Sequence, residues 1–271
     1  EYVREKVVYQ TEEDFWVPAY VLIPKKSNPP YRTVIAQHGH GRGKDDVVGI
    51  APTTQTKGLM RSLRYDYASD IAKHGYLVIA PDTRGFGELV DEPYHWGGIP
   101  CIRPFINAQL LGKTLMGLRV WDLIRTLDYL ETRGDVAQDR IGMVGLSLGG
   151  ALTMYTSALD ERVKVPIVAG YLSNMRISHL DVSNCVCYYI PSLLKYLEMH
   201  DIASMIVPRP LLVVTTLRDP WIPIEAAKDA FEHLKKVYKL LDAYDKTNMD
   251  VFAGQHEWRS DRALSWLDRW L

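Results

Sequence analysis

The stretch Arg140–Ala151 reads RIGMVGLSLGGA, and its reading decides the fold. Ile141 to Val144 is a short apolar run of the kind that forms a buried strand. It breaks into Gly145-Leu146-Ser147-Leu148-Gly149, a G-x-S-x-G pattern, and then into Gly150, Ala151 and a helix-like segment ending at Leu159. A serine on a sharp turn between strand and helix is held in a strained backbone conformation. Side chains two positions to either side would collide, which accounts for glycine at 145 and 149. Such a turn lifts the Ser147 hydroxyl out of the sheet. It also leaves the amide N–H of Leu148, at the start of the helix, free to bind an anion. The competing reading is a glycine-rich strand–helix corner without chemistry, and the rest of the chain has to decide between them.

Working outward, strands alternate with helices. Val3–Gln10 and Phe15–Ile23 predict a hairpin about the polar turn Thr11–Asp14. Thr33–Gln37, Tyr76–Ala80, Val163–Ala169, Pro210–Thr216 and Asp250–Ala253 predict further strands. Leu59–His74, Gln109–Arg133, Ile224–Tyr238 and Glu257–Leu271 predict helices, with a short one at Leu193–His200. The alternation predicts an α/β protein with a mostly parallel central sheet, helices on both faces, and a single domain over residues 1–271. Ligands of such sheets bind at the carboxyl ends of the strands. Ser147, Asp219, His256 and the His38–Gly43 loop each follow a predicted strand. Residues 86–107 and 171–207 are irregular and are expected to form lids or pocket walls.

Composition narrows the function classes. Among 271 residues the formal net charge is −1, so no basic field points to nucleic acid and no cationic face to a membrane. No apolar run approaches the length of a membrane-spanning helix. The three cysteines, Cys101, Cys185 and Cys187, are odd in number, and their spacing fits neither C-x-x-C nor a zinc motif. A reducing, cytoplasmic setting is favoured, with Cys185 and Cys187 as buried structural thiols. The chain starts at Glu1 rather than Met, which leaves room for a leader or N-terminal segment, and a homo-oligomer is compatible with the sequence.

A serine hydroxyl is a weak nucleophile unless a base lies within reach and an acid orients that base. Of the histidines after Ser147, His233 sits within a charged helix, and His179 and His200 fall in the irregular segment. His256 lies between the last strand and the last helix, where a short loop can deliver an imidazole to the sheet edge. Asp219 closes a buried strand and is flanked by Pro220 and Pro223, whereas Asp245 and Asp250 follow none. Asp82 precedes the serine and is expected to pair with Arg84, tying down Gly85-Phe86-Gly87. In His38-Gly39-His40-Gly41 the glycines let the backbone approach a tetrahedral oxyanion, so the N–H of His40 would join that of Leu148. A phosphate-binding loop would need glycine at 38 and Ser or Thr at 45, where the chain has His38 and Asp45. A metal could draw on His38, His40, Asp45 and Asp46, but no third histidine is near in sequence, so no metal and no cofactor are expected. Tyr94, Trp96, Tyr171, Tyr188, Trp221 and Trp258 are expected to wall a narrow pocket suited to a short acyl group.

Together these residues resemble the α/β-hydrolase superfamily, and within it the dienelactone hydrolase and acetyl xylan esterase-like branch. The resemblance runs from His38 to His256. It rests on His38-Gly39-His40-Gly41, Pro81-Asp82-Thr83-Arg84-Gly85-Phe86-Gly87, Gly145–Gly150, Pro208-Arg209-Pro210-Leu211-Leu212, Asp219 and His256. It implies a serine nucleophile, an Asp219–His256 relay and hydrolysis of small or short-acyl carboxylic esters, acetylated sugars among them, without a cofactor. Dienelactone hydrolases proper use cysteine, so Ser147 tilts the resemblance toward esterases. Thr216-Leu217-Arg218-Asp219 lacks the glycine often found in the acid loop. The competing functions are a serine peptidase or lactone hydrolase on the same fold, and a non-catalytic binding protein on a hydrolase scaffold. Peptidases of the prolyl-peptidase type carry a propeller, which these residues do not encode. The presence of serine, acid and histidine in order argues against a dead scaffold.

Overall fold

The computed structural model describes residues 1–90, 100–182 and 184–271. Tyr94 and Trp96 lie outside them. Among the described residues eight strands form one sheet: β1 (Tyr2–Glu12), β2 (Phe15–Pro24), β3 (Tyr31–Gln37), β4 (Leu77–Pro81), β5 (Val136–Leu146), β6 (Val165–Ala169), β7 (Leu211–Thr216) and β8 (Thr247–Phe252). Their order is β1-β2-β4-β3-β5-β6-β7-β8. β1 and β2 are the antiparallel hairpin, β2 runs antiparallel to β4, and every neighbouring pair from β4 to β8 is parallel. The chain has the α/β-hydrolase fold.

The helices are α1 (Lys44–Val47), α2 (Thr54–Ser62), α3 (Tyr67–His74), α4 (Ile102–Leu110), α5 (Leu115–Glu131), α6 (Leu148–Leu159), α7 (Met199–Ser204), α8 (Ile224–Leu240) and α9 (Ser260–Trp270). β4, β6 and β7 are buried along their whole length because helices cover both faces of the sheet. Successive residues feed opposite cores: Leu211 and Val213 of β7 join Leu127, Leu152 and Leu234 under α5, α6 and α8. Leu212 and Val214 join Ile71, Trp258 and Leu267 on the side of α3 and α9. β1 is an edge strand, and its exposed Arg4, Glu5 and Lys6 discourage pairing with another chain.

Three expected elements differ. The helix expected over Leu59–His74 is two, because the chain between α2 and α3 turns through Arg64 in the left-handed region (φ 54°). The helix expected over Gln109–Arg133 is also two. Gly112, at φ 67°, ends α4, and the Thr114 side chain accepts the Gly117 N–H to start α5. At Leu193–His200 there is only a turn at Leu193–Lys195, then α7, which opens on a capping box between Glu198 and Asp201. The expected Asp82–Arg84 pair is not made. Asp82 takes Lys44 instead, at 2.7 Å, while Arg84 reaches across to Asp122 and Glu12. Among the described residues no helix is long and apolar enough to cross a membrane.

Candidate active site

Ser147 sits between the end of β5 and the first residue of α6 with φ 62° and ψ −120°, a strained conformation for a residue with a side chain. A Cβ on Gly145 would fall 2.3 Å from the Gly149 carbonyl, and one on Gly149 would fall 2.0 Å from the Gln37 carbonyl oxygen. The elbow can therefore close only over hydrogen atoms. Leu148 heads α6, so its amide is one of the four that a helix leaves without an internal acceptor.

The loop after β3 lies directly on this elbow. A Cβ on Gly39 would be 2.9 Å from the Leu146 carbonyl oxygen and 3.3 Å from the Ser147 Cβ. His38 anchors the loop: its Nε2 accepts the Thr83 N–H at 3.0 Å, and its Nδ1 lies 2.7 Å from the Gly39 carbonyl. Those contacts require a neutral ring protonated on Nδ1. Burial favours the same state, holding the His38 pKa below its ordinary value. Beyond it, Asp82 accepts from both the backbone N–H and the Nζ of Lys44, fastening the loop to the end of β4.

The loops after β7 and β8 are joined to each other. Arg218 N–H donates to the Gly254 carbonyl, and the Thr216 hydroxyl to that of Gln255. This brings His256 Nδ1 to 2.7 Å from Asp219 Oδ2, with side chains only 9% and 2% exposed. The other carboxylate oxygen accepts the N–H groups of Trp221 at 3.0 Å and Ile222 at 3.2 Å, so the acid cannot swing. Gly170 lies beneath the imidazole, where a Cβ would be 3.0 Å from His256 Cε1, and the Trp221 ring meets its edge at 4.8 Å. His256 Nε2 is buried and has no hydrogen-bond partner among the described residues. The Ser147 Oγ makes a long contact, 3.4 Å, with the Tyr188 hydroxyl. Burial pushes the Tyr188 phenol well above its ordinary pKa, so it stays protonated. Ser147 and His256 thus line the same cavity, of about 260 Å³, without bonding each other.

Of the residues expected to wall the pocket, Tyr171, Tyr188 and Trp221 line this cavity, as does His40 of the expected anion-binding loop. Trp258 does not. It is wholly buried and stacks on Tyr67 at 4.4 Å in the core, because α9 draws it toward α3 rather than toward the sheet edge. Tyr65, Tyr67, Asp46 and Ile222 also line the cavity and were not foreseen. They come from the α2–α3 turn, α3, α1 and the acid loop, and no local pattern in the sequence marks them. A second feature was also missed. Cys101, before α4, and Cys185 and Cys187, in the 171–207 segment, gather around His40, and Cys185 is only half-buried and lines the cavity.

Residues 1–253 match the model of the Abhydrolase family. The chain is 31% identical over 265 residues to "Putative hydrolase YtaP" of Bacillus subtilis, covering 94% of this chain and 83% of that protein. The fold superposes on a putative acetyl xylan esterase from Bacteroides fragilis with a TM-score of 0.80 at 20% identity, covering 99% of this chain and 78% of the other. It superposes on a glucuronoyl esterase from Solibacter usitatus with a TM-score of 0.75 at 16% identity, covering 98% and 81%. At such identities these two likenesses speak for the fold alone.

Proposed function

We propose that this chain, which belongs to the Abhydrolase family of α/β-hydrolases, is a serine carboxylesterase that cleaves small or short-acyl esters through an acyl-enzyme. The observation that carries the reading is the His256–Asp219 pair at 2.7 Å beside the cavity that Ser147 and His256 both line, with the far imidazole nitrogen unpartnered among the described residues. The long Tyr188 contact holds the serine hydroxyl weakly. Its Oγ turns to Nε2 when an ester carbonyl enters, since such bonds tighten in the reacting complex. Oγ attacks the carbonyl carbon and His256 takes the hydroxyl proton. Asp219 stabilises the imidazolium, and the proton passes to the departing alcohol as the tetrahedral intermediate collapses. The amides of His40 and Leu148 receive the oxyanion, each donor being worth roughly a hundred- to a thousandfold in turnover. Water then repeats the sequence on the acyl-enzyme.

A cavity of about 260 Å³ walled by Tyr65, Tyr171 and Tyr188 suits an acetyl-sized group better than a long chain. Acetyl esters carried on sugars are the substrate class we favour, for the size of the cavity and because one protein of the same fold is named a putative acetyl xylan esterase. The test is labelling by a fluorophosphonate, followed by hydrolysis across p-nitrophenyl esters of increasing acyl length and of acetylated xylan. Labelling at Ser147 and a preference for acetate are expected. Ser147→Ala should lose roughly a millionfold in turnover. An unlabelled Ser147, or a variant hydrolysing at near-native rate, would end the assignment.

A further inference from the structure

We infer that His40, Cys101, Cys185 and Cys187 form a closed four-ligand site for a soft divalent cation, zinc foremost, behind the proposed oxyanion loop. The inference does not depend on the esterase reading. One ligand atom from each residue lies within 4.8 Å of all the others. His40 Nε2 is 3.7 Å from Cys101 Sγ and 3.4 Å from Cys187 Sγ. Tetrahedral zinc, with bonds of about 2.3 Å to sulfur and about 2.0–2.1 Å to nitrogen, sets nitrogen and sulfur ligands roughly 3.5 Å apart. A disulfide would use only two of the three thiols and leave the histidine without a role.

Charge points the same way. Arg119 is 1% exposed, and its Nη2 lies 3.4 Å from Cys101 Sγ. Its Nε and Nη2 donate to the Arg84 carbonyl, and Nη1 has no partner among the described residues. Among the described residues no carboxylate pairs with it. A buried guanidinium needs a counter-charge, and three neutral thiols supply none. A dication on three thiolates and one neutral imidazole carries one net negative charge. Binding releases three thiol protons to solvent, and no electron moves.

Four protein ligands leave no open position, so the cation is structural. Its place gives it a positioning task. His40 would give its side chain to the metal and its amide to the oxyanion. Cys187 precedes Tyr188, which touches Ser147 Oγ, and Cys101 immediately precedes α4. One ion would pin the oxyanion loop, the pocket wall and α4 together. The metal reading open from sequence sets His40 with His38, Asp45 and Asp46, but His38 is committed to Thr83 and the neighbours of the His40 ring nitrogen are thiols.

The test uses the whole chain, expressed with zinc and purified under reducing conditions. One zinc per chain is expected by elemental analysis, with all three thiols unreactive to Ellman's reagent until a chelator removes the ion. Cobalt added to the apo-chain should give the visible bands of tetrahedral cobalt and a thiolate charge-transfer band. Cys101→Ser, Cys187→Ser and His40→Ala should each weaken cobalt binding roughly a hundredfold or more, with circular dichroism recording whether each variant folds. The inference is overturned by a wild-type chain that holds no stoichiometric metal and develops no cobalt bands. It is equally overturned by a metal-free chain two hydrogens lighter through a disulfide, or by folded variants that bind as tightly as wild type.

Discussion

Asp219→Asn keeps the shape of the proposed acid and removes its charge. In the structure Oδ1 accepts two backbone N–H groups, from Trp221 and Ile222, so the oxygen of an asparagine would stay there and its NH2 would face His256 Nδ1. Two donors then oppose each other unless the imidazole moves its proton to Nε2, and an Nε2–H cannot accept the serine proton. The imidazolium formed during attack also loses its partner. At about 4 Å and an effective dielectric of about 20 that pair is worth about 4 kcal/mol. This corresponds to about a thousandfold in rate. With the tautomer cost added, kcat should fall roughly 10³- to 10⁴-fold, with KM little changed because neither atom binds the ground-state ester. The assay is initial-rate hydrolysis of p-nitrophenyl acetate across substrate concentration, alongside a thermal melt showing that the variant is folded. A loss below tenfold in a folded variant would remove Asp219 from the relay and refute the reasoning.

Three further outcomes are expected. Gly149→Ala should cost at least about 1–3 kcal/mol in urea unfolding, since its Cβ meets a backbone oxygen at 2.0 Å that cannot rotate away; a variant as stable as the parent would show that the elbow relaxes. Lys44→Met should cost about 3–5 kcal/mol by leaving the wholly buried Asp82 carboxylate uncompensated, and Lys44→Met with Asp82→Asn should recover most of it. A single-variant cost under about 1 kcal/mol would reject the pair as an anchor of the loop. Burial lowers the His179 pKa from 6.5 to about 4, so the folded state favours the neutral ring. That stability is complete above pH 6.5 and is lost as pH falls toward 4, up to about 3 kcal/mol. His179→Asn should flatten this part of the pH–stability curve, and an unchanged slope would show that the ring is solvated.

What could be read from the chain as a string was whatever short-range sterics and periodicity govern. Ser147 could be placed on an elbow because only glycines at 145 and 149 allow the turn. The parallel sheet could be expected because its apolar runs recur between amphipathic helices. His256 and Asp219 could be paired because both fall just past strands, where loops converge. Helix breaks at Arg64 and Gly112 were less legible, since single residues there outweigh a continuing apolar pattern.

What only the folded chain decided were choices among chemically equivalent partners. Trp258 and Trp221 have the same side chain, yet one stacks in the core and the other edges the imidazole. Asp82 could have held Arg84 and instead holds Lys44, 38 residues away. Cys101 and Cys187 are far apart in the string and meet only because α4 and the 171–207 wall both close over the loop after β3. Local conformation is set by a residue and its nearest neighbours, whereas partner choice is set by which segments the sheet order brings to the same place, and that order is a property of the whole chain.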